Sequence, residues 1–169
     1  MDLSFITEYI SQYGLIFLFI VVLLEYLNLP GFPAGIILPV AGIWAHSAGI
    51  NLILVIVISV AAGLIGSWAL YFLGLYGGDV LIRKYVKRFP KHRIYIESKI
   101  KYLNEKGYIG VFISKLIPMA RTLISIPAGV LKMNFIKYSV YSVLGIVLWN
   151  GLFIGAGYVL GEGVLKYLV

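Results

Sequence analysis

Cysteine is absent from this chain of 169 residues, and histidine occurs only at His46 and His92. The first absence excludes disulfides, thiol catalysis and thiolate metal sites. The second leaves too few imidazoles for a histidine-rich phosphatase site, and the chain contains no nucleophile-elbow, zinc-protease or phosphate-loop motif. We therefore expect a protein that is not an enzyme and that needs neither a cofactor nor a metal ion.

Charged residues are also scarce. They make up 12% of the chain, against 61% hydrophobic residues, and none occurs between Tyr26 and Gly78. So little polar surface cannot cover a soluble domain, and the composition predicts a multi-pass protein of the cell membrane. The 15% of aromatic residues suit headgroup depth, and the 19 glycines suit close helix packing. Because Asp2 and Glu8 replace the basic start of a signal peptide, we expect the first apolar segment to be retained.

The positive charge is concentrated in residues 83–106. This stretch holds nine Lys or Arg and two Glu, which gives +7, equal to the net charge of the whole chain. A basic segment between apolar blocks is typical of a cytoplasmic connector, and it also suits anionic lipid headgroups. Nucleic-acid binding is not expected, because no base-stacking or groove-reading module accompanies the charge.

Apolar segments and helix breakers divide the chain into six predicted parts. Proline and glycine interrupt two of the apolar segments, whose lengths suit re-entrant hairpins that enter and leave by the same face. The parts are an N-terminal helix (5–27), a first re-entrant hairpin (28–48), a transmembrane helix (51–78), a basic interfacial connector (83–106), a second re-entrant hairpin (108–132) and a second transmembrane helix (138–161).

This order of parts indicates an internal repeat. PVAG at 39–42 recurs as IPAG at 126–129, each before an apolar crossing. Since a hairpin makes no net crossing and the helix after it makes one, the second repeat should enter from the opposite face. The predicted fold class is an all-α integral membrane protein with two inverted repeats, an N-terminal helix and a basic amphipathic connector, an architecture typical of alternating-access transporters.

Two cations and one acid in the apolar segments are candidate site residues. Lys115 and Arg121 lie in FISKLIPMARTLISIPAG (112–129), and Glu25 lies near the end of the first apolar segment. A charge at membrane depth costs about 3 kcal/mol on insertion scales, so it usually serves an anionic partner or a proton. Arg121 is predicted to bind a phosphate, or alternatively to pair with Glu25. Lys115 is predicted to assist, or alternatively to snorkel to the headgroups. Glu25 is predicted to carry a proton, or alternatively to lie at an interface.

The remaining candidate residues are structural. Trp149 and Asn150 are predicted to hold the last helix against a hairpin, with Asn150 satisfying a freed carbonyl. Gly42 and Gly129 are predicted to permit close approach of the hairpin tips. The prolines predicted to form the hairpins are Pro33, Pro39, Pro118 and Pro127.

These segments resemble the signature of the DedA membrane proteins, also called the SNARE-associated or VTT-domain family. The resemblance is carried by residues 112–129, by NFIKYSVYSVLGIVLWNGLFIGAGYVLG (134–161) and by EYLNLPGFPAGIILPVAG (25–42). It implies two opposed re-entrant hairpins, and movement of undecaprenyl phosphate or phospholipids between leaflets with dependence on proton-motive force.

The chain departs from this family pattern at three positions. Lys115 stands where the family has an arginine, and Gly35 and Ser67 stand where it has acids. Lysine keeps the charge but lacks the two-pronged guanidinium that suits phosphate. The two missing acids leave Glu25 as the carboxylate that could carry a proton within the apolar region.

The sequence therefore predicts a transporter that moves an anionic-headgroup lipid between leaflets, with proton coupling through Glu25 as an additional expectation. A passive phospholipid scramblase is one alternative, because it needs a polar groove but no coupled carboxylate. A non-transporting structural or assembly factor of the membrane is an alternative of another class. The oligomeric state stays open, a homo-oligomer included.

Overall fold

The computed structural model describes the backbone of residues 3–27, 36–88, 93–118 and 120–168, and the side chains of residues 13–27, 36–78, 80, 87, 97–118 and 120–160. Within these ranges the secondary structure consists of α-helices, which confirms the predicted all-helical class. The helices are α1 (Leu3–Tyr26), α2 (Ile37–Ser47), α3 (Leu52–Arg88), α4 (Arg93–Lys115), α5 (Ala120–Leu123), α6 (Ser125–Val130) and α7 (Phe135–Leu168).

Two of these helices are long and apolar enough to cross a membrane. The apolar stretches are Leu52–Gly78 in α3, with 27 residues, and Phe135–Leu160 in α7, with 26 residues. About 20 apolar residues suffice for a crossing, so each stretch has residues to spare. Large apolar side chains on both helices are exposed, as expected where a helix faces lipid.

Glycines interrupt α3 and α4 near the predicted boundaries, so that each range consists of two helical segments on either side of a kink. Gly78 has φ of 41° in α3, and Gly107 has φ of 57° in α4. Glycine adopts positive φ without the steric penalty of a Cβ. The kink at Gly78 lies at the end of the predicted crossing (51–78), and the kink at Gly107 lies between the predicted connector (83–106) and the predicted second hairpin (108–132).

The link from α2 to α3 is a tight corner. Gly49 has φ of 65°, and the amides of Gly49 and Ile50 bond to carbonyls in the last turn of α2. This is the Schellman arrangement, which satisfies carbonyls left over at a helix C-terminus. Asn51 then caps α3, because its Oδ1 accepts the N–H of Ile53 at 2.8 Å.

The link from α6 to α7 has the same construction. Lys132 has φ of 51°, and the amides of Lys132 and Met133 bond to carbonyls in the last turn of α6. Asn134 then caps α7, because its Oδ1 accepts the N–H of Lys137 at 3.1 Å. Both long helices therefore begin directly after a Schellman corner and an asparagine cap.

By packing, the chain divides into two compact units. The first unit comprises residues 1–63 and 146–169, and the second comprises residues 64–145. In the first unit, α1 packs on α2, and the backbone of α2 lies directly against α7. A Cβ on Gly42 would lie 2.1 Å from the carbonyl oxygen of Ile154, and a Cβ on Gly157 would lie 2.0 Å from that of Pro39.

The second unit repeats this contact with other elements. A Cβ on Gly129 would lie 2.0 Å from the carbonyl oxygen of Tyr71, and a Cβ on Gly74 would lie 2.2 Å from that of Ile126. Here α6 lies against α3, as α2 lies against α7 in the first unit. The core of this unit is formed by Tyr71, Leu103, Val111, Ile124, Ala128 and Tyr138.

Substitution of two glycines in α7 should have different effects on stability. Gly157→Ala should lower the thermal midpoint of the purified protein in detergent by several degrees, because the new methyl meets a backbone oxygen and overpacking costs about 1–3 kcal/mol. Gly155→Ala is the matched control, since its Cβ would have no neighbour within 4 Å. Its better helix propensity should leave the midpoint unchanged or raise it. Equal midpoints for the two variants would contradict the close packing of α2 on α7.

Candidate functional site

Lys115, the last residue of α4, is fully buried in the second unit. Its ammonium donates three hydrogen bonds: 2.8 Å to Ser67 Oγ, 2.9 Å to the carbonyl oxygen of Arg121 and 3.2 Å to Ser125 Oγ. An ammonium has three N–H donors, so these oxygens use all of them. We call Lys115 with Ser67, Ser125 and the Arg121 carbonyl the lysine cluster.

The stem of Lys115 lies against α7 at a glycine. A Cβ on Gly145 would lie 2.4 Å from Cβ of Lys115, so a larger residue there would displace the stem. The hydroxyl of Tyr138, on α7, donates to the carbonyl oxygen of Ser67, on α3, at 3.2 Å, which places a second polar contact beside the cluster. The alternative that Lys115 snorkels to headgroups is wrong, because its side chain is enclosed along its whole length.

Arg121 lies in the short helix α5 and has the largest fully buried side chain among the described residues. Its amide donates to the carbonyl oxygen of Ile117 at 3.0 Å, and its own carbonyl accepts from Lys115. The structure therefore brings the two predicted cations together through one backbone group. The chain reaches this position by a turn at Pro118, whose missing N–H prevents α4 from continuing.

Glu25 belongs to the first unit and is 3% exposed, at the end of α1. The next residue, Tyr26, is fully buried and donates its hydroxyl proton to Asn150 Oδ1 at 3.1 Å. Asn150 Nδ2 in turn donates to Ser59 Oγ at 3.2 Å, and the Ser59 hydroxyl donates to the carbonyl oxygen of Ile56 at 2.8 Å. Tyr26, Asn150 and Ser59 form what we call the tyrosine chain, which ties α1 and α3 to α7 beside Glu25.

The two structural candidates in α7 differ in what they contact. The freed-carbonyl role predicted for Asn150 is replaced by bonds to two side-chain hydroxyls, those of Tyr26 and Ser59. Trp149 packs against Phe153 within α7, with ring centroids 4.5 Å apart. Asn150 therefore holds the last helix to other helices of its unit through side-chain contacts.

The predicted hairpin glycines and prolines occupy matching places. Gly42 and Gly129 do make close approaches, and the partner of each is the backbone of a long helix. Pro39 is the third residue of α2 and Pro127 the third of α6, where the first turn of a helix leaves amides unbonded and tolerates proline. Pro33 lies outside the described residues.

Sequence reasoning missed the hydroxyl residues in the tyrosine chain and in or beside the lysine cluster, namely Ser59, Ser67, Ser125, Tyr26 and Tyr138. The available signal was the presence of hydroxyl residues inside otherwise apolar segments. Hydroxyls of that kind are more often found hydrogen-bonded than free when buried. Among the described residues no group of three or more His, Cys, Asp or Glu could hold a metal ion.

A comparison with protein families identifies the chain's relatives. The VTT domain profile matches residues 32–159, which is most of the chain and includes both clusters apart from Tyr26. The chain belongs to the VTT domain family. This confirms the family resemblance drawn from the sequence, and it supports a membrane protein.

Named relatives of this VTT protein are bacterial. A Staphylococcus aureus protein named undecaprenyl phosphate transporter A is 35% identical over 86% of this chain and 73% of its own length. A Bacillus subtilis protein of the same name is 34% identical over 77% of this chain and 66% of its own length. A Lactococcus lactis subsp. cremoris protein named alkaline phosphatase-like is 27% identical over 93% of this chain and 75% of its own length. No solved structure gives a significant match.

Removal of one hydroxyl from the tyrosine chain should weaken the first unit. Tyr26→Phe leaves Asn150 Oδ1 without its buried donor, and an unmet buried acceptor costs about 1–3 kcal/mol. The thermal midpoint in detergent should fall by several degrees. Tyr13→Phe is the control, because Tyr13 is 53% exposed and lies on the same helix. If both variants had the same thermal midpoint as the wild type, the tyrosine chain would not be a stabilising element.

Proposed function

We propose that this VTT protein is a lipid transporter that moves a lipid with an anionic phosphate headgroup between leaflets. The observation that carries the proposal is the complete burial of a guanidinium, that of Arg121, in a chain whose relatives include proteins named undecaprenyl phosphate transporter A. Burial of a permanent cation costs free energy, and a buried cation is usually retained because it binds an anionic partner. The substrate class is a polyprenyl phosphate such as undecaprenyl phosphate, or a phospholipid.

In this proposal Arg121 is the phosphate ligand. A guanidinium offers paired N–H donors that match two phosphate oxygens, and such charge-assisted bonds are the strong ones in proteins. Lys115 adds a second positive charge to the same segment. The isoprenoid or acyl tail stays in the bilayer, so the protein has to shelter only the headgroup.

Glu25 is proposed as the proton carrier that couples transport to a pH gradient. Its carboxyl is nearly fully buried at the end of α1, in otherwise apolar sequence. Loss of its proton on one side of the membrane would give transport a direction. The passive scramblase is the second candidate, favoured by Gly35 and Ser67 standing where the family pattern has acids.

The fold is proposed to consist of two inverted repeats, each with a re-entrant hairpin before a membrane crossing, in a multi-pass protein of the cytoplasmic membrane. The two matching corners support the repeat: both combine a positive-φ residue, a Schellman pattern and an asparagine cap, at Gly49 to Asn51 and at Lys132 to Asn134. The matching glycine contacts of α2 and α6 support it further. Inversion rests on the count of crossings in the sequence.

The proposal contains no step that breaks a covalent bond, so the protein is proposed not to be an enzyme. It requires no cofactor and no second copy of the chain. Reconstitution in liposomes distinguishes it from the alternatives, because lipid movement and phosphate release can be measured on the same vesicles.

Arg121→Ala should reduce movement of labelled undecaprenyl phosphate across liposomes at least about tenfold, since a lost charge-assisted contact to phosphate costs more than 1.4 kcal/mol. Lys101→Ala is the matched control, because Lys101 is an exposed cation of α4. Its transport should equal that of the wild type. If the wild-type protein moved no lipid, the transport proposal would fail in favour of an assembly factor, and release of inorganic phosphate would indicate an enzyme.

Glu25→Gln should remove the response of transport to an imposed pH gradient while leaving slow, gradient-independent movement. Glutamine keeps the size and hydrogen-bonding capacity of a protonated carboxyl but cannot release a proton. Transport rates are compared with and without the gradient for the variant and the wild type. A wild type that moves many phospholipids at the same rate in both conditions would favour the passive scramblase.

A further inference from the structure

We infer that Lys115 is a positioning residue for Arg121: its ammonium fixes the backbone carbonyl of Arg121 and thereby the place from which the guanidinium reaches phosphate. Lys115 does not contact the phosphate itself. This inference rests on the proposed role of Arg121 as the phosphate ligand.

The first argument is that protein oxygens already accept hydrogen bonds from all three N–H donors of the Lys115 ammonium. The three N–H groups of Lys115 point to three protein oxygens at 2.8, 2.9 and 3.2 Å. A phosphate oxygen could bind the ammonium only by displacing one of these partners. In a fully buried cluster a displaced oxygen would have no water to replace the bond. The ammonium is therefore committed to holding the protein together at this point.

The second argument is the position of the carbonyl that Lys115 holds. Arg121 belongs to α5, a helix of four residues that follows the turn at Pro118 and is separated from α6 by Ile124. A single helical turn is only marginally stable without tertiary support. The amide of Arg121 bonds back to the carbonyl of Ile117, and its carbonyl bonds to Lys115. Both backbone polar groups are thus engaged, so the Cα of Arg121 is held from two sides.

The third argument is that Lys115 is itself held by neighbouring helices. Ser67 belongs to α3, whose backbone at that residue also accepts the Tyr138 hydroxyl. The absent side chain of Gly145 leaves the space that the lysine stem fills on α7. The cluster therefore fixes the position of Arg121 relative to α3 and α7 within the second unit. A lysine with its stem and all its donors committed in this way acts on substrate only through Arg121.

The test measures binding of undecaprenyl phosphate and of uncharged undecaprenol to the purified full chain in detergent. The double variant Ser67→Ala/Ser125→Ala keeps both cations and removes two of the three anchors of the ammonium. It should weaken binding of the phosphate lipid about tenfold and leave binding of the alcohol unchanged. In an Arg121→Ala background the same pair of changes should have no further effect on phosphate-lipid binding.

Two further variants keep the test decisive. Ser139→Ala is the control, because it removes a serine hydroxyl in the same unit that contacts Trp68 and Phe135 but not the lysine cluster. Its binding should match the wild type. Ser125→Ala alone removes only the longest of the three bonds, at 3.2 Å, and provides a milder change if the double variant does not fold. It should weaken phosphate-lipid binding by a smaller factor in the same Arg121-dependent way.

The possible results distinguish a failure of the positioning role of Lys115 from a failure of the phosphate site at Arg121. Wild-type affinity in the serine variants, together with a loss in Lys115→Met that persists in the Arg121→Ala background, would make Lys115 a direct phosphate ligand and overturn the inference. An equal loss for phosphate lipid and alcohol would reduce the cluster to a purely structural role and would also overturn it. If Arg121→Ala itself bound the phosphate lipid normally, the proposed phosphate site would fail.

Discussion

The structure depends on one constraint: inside a bilayer, a backbone group freed by a helix break finds no partner in the hydrocarbon and must find one in the protein. The chain breaks its helices repeatedly and satisfies the breaks with its own groups. The corners at Gly49 and Lys132 return amides to the ends of α2 and α6, and asparagine side chains cap the two helices that follow. In α5 of the second unit, the backbone carbonyl of Arg121 accepts a hydrogen bond from the ammonium of Lys115.

This constraint also explains why several polar residues of the apolar segments gather into the lysine cluster and the tyrosine chain. A buried amide, hydroxyl or ammonium is stable when every donor and acceptor is used, and costly when one is left over. The lysine cluster and the tyrosine chain each join residues from separate helices through side-chain bonds. Their hydrogen bonds therefore fix the positions of the helices specifically, which apolar contacts with little directional preference do not.

Sequence reasoning could predict the two long apolar helices, because their composition and length are local properties. It could also predict breaks near Gly78 and Gly107, where non-helical backbone angles interrupt α3 and α4. The partners of Lys115 and Asn150 could not be predicted, because they lie up to 48 and 124 residues away. One hint was available: Ser67 and Lys115, two departures from the family pattern, are in contact with each other.

The division into units has a consequence for how the chain is made. The second unit is continuous, from residue 64 to residue 145, whereas the first combines residues 1–63 with residues 146–169. During synthesis, Gly42 and Tyr26 emerge long before Ile154 and Asn150, which supply their contacts. The second unit can therefore complete its contacts before the first unit does. Residues 1–63 lack their partners in α7, for Gly42 and for the tyrosine chain, until residues 146–169 have been synthesised.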